Sequence, residues 1–271
     1  LKLPPLIGKF PQSDVCFFVA ADETYFNQHA KPLIHSIRRY FSYPIHFHLY
    51  TPSEESKNWC EINNISYSYE IVDIKIVDPA FKIYRNMPND VELQRRRSKM
   101  IKPGENVEKI RNELMKTYYA CTRFVRLSEL LVNPTYVIML DTDSLIRNRF
   151  DLLSKEYDIH IYEKNHRSHV NYTQHLASTI FYTGTEDSLC LIQDHARLIL
   201  EEYAKDTLYW FLDQETLDMA IQKYSKQPLA LSYVDFEMKD ASSIWCAKGP
   251  RKNLPIWLGE IKKYMPINIQ N

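Results

Sequence analysis

The chain has 271 residues, 45% of them hydrophobic and 25% charged: too apolar for a disordered segment, and long enough for one large α/β domain or two small ones sharing a core. Lysine plus arginine and aspartate plus glutamate both total 34, so there is no overall field to hold bulk nucleic acid. Only 5 glycines occur, and no GxGxxG or GxxxxGK[ST] phosphate loop can be written from Gly8, Gly104, Gly184, Gly249 and Gly259.

Residues 15–20 form a short apolar run of the buried-strand type. In 25–41, Leu33, Ile34 and Ile37 recur at helical spacing, and 44–50 alternates with period two, which predicts a second strand. Thr51-Pro-Ser-Glu54 has the form of a helix start with Thr51 as N-cap, and 66–71 predicts a third strand. This β-α-β-α-β order predicts a parallel sheet with covering helices. Residues 82–105 read as irregular and carry the basic run 95–102. A long helix is expected over about 107–131, ended by Asn133-Pro134, and 136–140 is the strongest strand of the chain. Beyond it, 159–162 and 179–182 read as strands, about 186–203 and 213–224 as helices, and the tail from Ser232 as mixed.

No linker divides the chain, so a single domain is expected. Stretches such as 137–140 are far shorter than the roughly 20 apolar residues a membrane span needs. That predicts no transmembrane segment and leaves peripheral contact with a membrane surface open. Cys16, Cys60, Cys121, Cys190 and Cys246 are odd in number, scattered and without a CxxC, which suggests reduced thiols and a cytoplasmic location. The chain opens on Leu1 rather than Met, so an address carried upstream would go unread.

The most informative pattern is a strand that runs straight into Asp141-Thr-Asp143. It puts two carboxylates at the carboxyl end of a buried strand, where open α/β sheets bind ligands. Two such groups can share a hard dication, Mn²⁺ or Mg²⁺, with phosphate oxygens completing its shell. A polar turn is the bland alternative. Haloacid-dehalogenase-type phosphatases and glycosyltransferases both use this arrangement. The phosphatase pattern sits at the first strand and continues Gly-Thr, whereas here the pair lies over a hundred residues past Ala20 and continues Ser144-Leu145.

Several segments from Asp14 to about Lys252 together resemble the family 8 retaining glycosyltransferases, the glycogenin and bacterial lipopolysaccharide galactosyltransferase group. Phe17-Phe-Val-Ala-Ala-Asp-Glu-Thr-Tyr25 is similar to the family's strand-end Ala-Ala-Asp-x-Asn-Tyr, which implies that Ala20, Asp22 and Tyr25 line a uridine pocket. The helix before the acidic strand offers Arg123, with Arg126 as rival, to approach the donor; a surface ion pair is the plain reading of either. Asp213-Gln-Glu-Thr-Leu217 resembles the signature whose Asp and Gln lie by the donor sugar, making Asp213 and Gln214 the catalytic candidates. Asp213 also reads as a helix N-cap. Cys246-Ala-Lys-Gly-Pro-Arg-Lys252 resembles a His-x-x-Gly-x-x-Lys loop, in which Gly249 admits the diphosphate and Lys252 charges it. Cys246 takes the place of the metal-binding His, and sulfur suits Mn²⁺ poorly. Residues 177–181 lack the family's Asn-x-Gly, so the transferred sugar is undetermined.

The resemblance implies a GT-A fold, a Rossmann-like mixed central sheet flanked by helices, with 14–143 as nucleotide-binding half and 144–271 as the donor-sugar and acceptor half. The implied reaction moves a hexose from a UDP-sugar to a carbohydrate or other hydroxyl acceptor, with retention, Mn²⁺ (or Mg²⁺) being held by Asp141, Asp143 and, at the third position, Cys246. A UDP- or sugar-binding module without turnover is the alternative, and a metal-dependent phosphatase ranks third. The run 95–102 reads as a solvated loop, His46 and His48 as strand-surface residues, and Trp210, Trp245 and Trp257 as core packing.

Overall fold

A strand that is apolar at both odd and even positions needs cover on both faces, and three such strands lie side by side. A computed structural model of the chain describes residues 1–86, 106–164, 173–239 and 241–265. Strands β1 (Ile7–Gly8), β2 (Val15–Asp22), β3 (Ile45–Tyr50), β4 (Ser66–Glu70), β5 (Tyr136–Asp141), β7 (Ile159–Glu163), β8 (His175–Thr183) and β9 (Lys226–Pro228) form one sheet in the order β1-β4-β3-β2-β5-β8-β7-β9. As expected from the first half of the sequence, β4, β3, β2 and β5 are parallel; β8 runs antiparallel between β5 and β7 and makes the sheet mixed. A second sheet joins β6 (Ser144–Ile146), β10 (Val234–Asp235) and β11 (Ile244–Cys246) in the order β10-β11-β6.

Parity along the strands assigns the two cores. Phe18, Val137 and Met139 face helices α4 (Val107–Leu130), α5 (Glu186–Ala204) and α6 (Leu212–Ile221). Phe17, Val19, Ile138 and Leu140 face α1 (Lys31–Tyr40), which turns Leu33, Ile34 and Ile37 inward. Helices α2 (Glu54–Ile62), α3 (Asp78–Asn86) and α7 (Pro255–Lys262) complete the cover of this single-domain α/β fold. The Ser36 hydroxyl accepts from the Ile146 amide at 3.0 Å and so ties the second sheet to α1.

Several local expectations change in the fold. Helix α2 is capped by Ser53, which accepts from the Ser56 amide at 3.1 Å, not by Thr51. Thr51 has φ of 49° and its amide donates to the Glu70 carbonyl, so it still belongs to the strand end. Residues 82–86, expected to be irregular, continue α3, while the basic run 95–102 lies outside the described residues. His46 and His48 are buried rather than on a strand surface, because β3 is central and covered on both sides. His46 hydrogen-bonds Ser66 and Ser68, each at 2.9 Å, and burial pushes its imidazole down to about 3. His48 contacts the same Ser68 at 3.0 Å and is likewise held neutral by burial. Trp245 and Trp257 are buried, as expected of core residues; Trp210 instead lines the cleft described next.

Candidate active site

The carboxyl ends of parallel β2 and β5 are adjacent because Ala20 pairs with Asp141 in the ladder. Chain leaves both strands there: Asp22 caps the helical turn after β2, accepting from the Tyr25 amide at 2.7 Å, and Thr142 donates to the Ala20 carbonyl at 2.8 Å. Antiparallel pairing of β11 with β6 sets Cys246 opposite Ser144, and the Ala247 amide donates to the Asp143 carbonyl at 3.1 Å. That register carries the 248–252 segment back over the acidic pair. The result is one cleft of about 520 Å³ lined by Ala20, Asp22, Tyr25, Arg123, Asp141, Asp143, Asp213, Gln214, Gly249 and Lys252. Cys246, with no exposed surface, lies beneath it.

Helix α4 presents Arg123 to this cleft. Its guanidinium donates to Asp141 and, at 2.8 Å, to the Ala177 carbonyl, and lies 3.5 Å from Asp213. Burial raises the Asp213 carboxyl and Asp141 adds to the effect, while Arg123 opposes both. Arg126, three residues on, points away. It is 2% exposed, donates to Glu70 at 2.7 Å, and reaches the Pro4 carbonyl at 2.7 Å and Glu129 at 2.6 Å. Of the two rivals, one faces the cleft and the other is a buried structural ion pair.

Asp213 does not cap α6. Phe211, at φ of 75°, precedes the helix, and Asp213 sits in its first turn, where the unpaired amides favour a carboxylate. A bulky residue in the left-handed region is strained, and Phe211 also lines the cleft. The Gln214 amide oxygen accepts from Lys164 Nζ at 3.1 Å and from the Thr173 hydroxyl at 3.3 Å. Lys164 directly follows β7 and carries no sequence signal for this role; it escaped the sequence reading. Tyr119 also did: half-buried at the cleft wall, it stacks on Tyr50 with ring centroids 4.4 Å apart. Lys248 was missed despite lying inside the 246–252 motif.

Gly249 has φ of 57°, and a Cβ there would meet nothing within 4 Å. Its conformation, rather than crowding, calls for glycine. Lys252 Nζ donates to Asp143 at 2.5 Å and to the Tyr25 hydroxyl at 2.8 Å. Burial works against the ammonium, but Asp143 outweighs it and the lysine stays charged. Burial also raises the Asp143 carboxyl, with Asp141 adding and Lys252 opposing.

Among the described residues, one atom each from Asp141, Asp143 and Cys246 lie within 4.8 Å of one another, a possible metal cluster. Mn²⁺ and Mg²⁺ favour oxygen donors. Two carboxylates meet that demand, but the third donor is a soft sulfur, held as a thiol by burial and by the Asp143 and Asp141 carboxylates. Both carboxylates, moreover, already hold protein cations, Asp141 that of Arg123 and Asp143 that of Lys252. As a set, these residues do not fit Mn²⁺ or Mg²⁺.

No family model and no curated protein sequence matches the chain. Solved structures do. The galactosyltransferase LgtC, in complex with donor and acceptor sugar analogues, superposes with a TM-score of 0.54 at 11% identity, over 92% of this chain and 95% of that one. The bifunctional glycosyltransferase WbbM gives 0.53 at 13% identity, over 95% of this chain and 53% of that one. Glycosyltransferase GlyE of Streptococcus pneumoniae TIGR4 gives 0.50 at 12% identity, over 91% and 60%. This chain thus spans nearly all of LgtC but only a little over half of the WbbM and GlyE chains. No helix of the described residues is long and apolar enough to cross a membrane. At this identity the likeness shows the fold alone, a mixed α/β architecture of the GT-A type.

Proposed function

We propose that the chain is a glycosyltransferase that moves a hexose from a UDP-sugar to a hydroxyl acceptor with retention of configuration. The observation that supports this reading is convergence. Ten residues, from the end of β2, helix α4, the end of β5, the start of α6 and the segment after β11, line one cleft. In this reading Ala20, Asp22 and Tyr25 take the nucleoside, with the Tyr119 ring beside it, and 14–143 acts as the nucleotide-binding half. Lys252 and Gly249 take the diphosphate, and Asp213 and Gln214 face the donor sugar.

The bond between sugar C1 and the diphosphate breaks with both electrons going to the departing oxygen. Lys252 and Arg123 meet that growing charge in a partly dried cleft, where fixed cations are most effective. Within retention, a same-face route is favoured over a double displacement, because among the described residues at the donor-sugar wall Asp213 is engaged by Arg123 and Gln214 presents an amide already bonded to Lys164. The acceptor oxygen then bonds C1 from the leaving-group side and passes its proton to the departing phosphate oxygen.

Release of UDP from a panel of UDP-hexoses, with and without simple sugar acceptors, tests the proposal. At least one donor should turn over, and Asp213→Asn should cut that rate by about a hundredfold. UDP binding without release from any donor would mark a sugar-nucleotide-binding module. Ala177 at the donor-sugar wall, where the family carries Asn, is the feature that favours this second reading. Neither binding nor release would overturn both.

A further inference from the structure

The acidic pair is occupied by the protein itself. Arg123 sits on Asp141 and Lys252 on Asp143, with side-chain exposures of 11% and 26% in the first pair and 18% and 11% in the second. These pairs are largely shielded from water, so each attraction outlasts what a surface pair would keep. A dication at this place would have to displace both cations from these carboxylates. Lys164 and Lys248 also line the cleft, as does Lys116, whose ammonium pairs with Glu113 at 2.7 Å, so four cationic side chains face the four carboxylates of Asp22, Asp141, Asp143 and Asp213. The remaining donor, Cys246, is a buried thiol whose Sγ lies 3.9 Å from Asp143. Lys248 strengthens the case. It precedes the left-handed turn at Gly249, its Nζ lies 4.5 Å from the Phe236 ring centroid, and it lines the cleft with Lys252.

We propose that this chain neutralises the departing nucleoside diphosphate with resident side-chain cations, and that Asp141 and Asp143 are anionic seats that hold Arg123 and Lys252 rather than ligands of a dication. The inference rests on the glycosyltransferase reading and sharpens it. Lys252 stays anchored between Asp143 and Tyr25 while Lys248 supplies a second ammonium to the same diphosphate. When the C1–O bond breaks, its electron pair and the added negative charge pass to the diphosphate oxygen facing these groups, and the acceptor's proton follows. No co-reactant beyond donor and acceptor is needed.

Calorimetric titration of the chain with UDP, in EDTA and again in Mn²⁺, tests the proposal without relying on turnover. UDP should bind in EDTA, and Mn²⁺ should tighten it by less than about threefold. Lys252→Gln should weaken UDP by about tenfold in both buffers, the usual scale for losing one charge-assisted hydrogen bond. UDP-sugar turnover should survive EDTA. Tightening by Mn²⁺ above that threefold limit, or turnover abolished by EDTA, would overturn the inference and leave the glycosyltransferase reading standing. Failure of UDP, GDP, CDP and ADP to bind in either buffer would sink that reading and this inference with it.

Discussion

Arg126→Met isolates the cost of stranding one buried charge. In the native chain Arg126 and Glu70 are 2% and 0% exposed, and the Tyr118 hydroxyl adds a bond to Glu70 at 3.1 Å. Burial already raises the Glu70 carboxyl, and Arg126 is the main force opposing it. Without the guanidinium, Glu70 must either stay charged in an apolar site or take up a proton. Protonation sets the ceiling: from its ordinary value of 4.5 to pH 7.5 is three pH units at 1.36 kcal/mol each, about 4 kcal/mol. The sign follows from linkage. A carboxyl whose folded pKa is raised adds stability below its unfolded pKa and loses it as pH rises through the folded one. The variant should therefore approach the wild type near pH 5 and fall away towards pH 7.5, by up to about 1.4 kcal/mol per unit. Urea unfolding at pH 5.5, 6.5 and 7.5 reads this directly, and adding Glu70→Gln should recover most of the loss. A variant destabilised equally at all three pH values, or no more stable with Glu70→Gln than without it, would refute the argument.

Arg123→Met should cut UDP-sugar turnover by about a hundredfold in the folded protein, whereas Arg126→Met should leave the UDP affinity of its folded fraction unchanged; calorimetry and UDP-release assays separate the two. The Arg123 variant should also regain stability in urea as pH falls from 7.5, because protonation relieves the raised Asp213 carboxyl that Arg123 had opposed. Lys164→Met removes a positioning contact, so kcat should fall about tenfold with KM for the UDP-sugar little changed; equal effects on both would mean that Lys164 binds donor directly. In a thiol titration of the native chain Cys190, the exposed cysteine, should react first. The other four should wait for denaturant: all are buried, and burial pushes the Cys60 thiol up to about 12 and the Cys16, Cys121 and Cys246 thiols up as well. Several fast-reacting thiols would contradict that burial.

The order of strands and helices, the parallel first half of the sheet and the acidic pair at the end of 136–140 were legible in the chain because each is written within a few neighbouring residues. Period, capping and apolar runs are local signals, and β2, β3 and β5 obey them. Tertiary structure decided what depends on partners far away. The antiparallel insertion of β8 and the burial of both histidines follow from where β3 and β5 sit in the sheet, which no strand records in its own sequence. Likewise Arg123 and Arg126 are one turn apart on the same helix, and only the roll of α4 against the sheet sends one to the cleft and the other to Glu70. Lys164 becomes a site residue, and Asp143 becomes a seat for Lys252, through contacts that span 50 residues or more. Charge and hydrogen bonding act through space, so the electrostatic character of the cleft belongs to the folded chain alone.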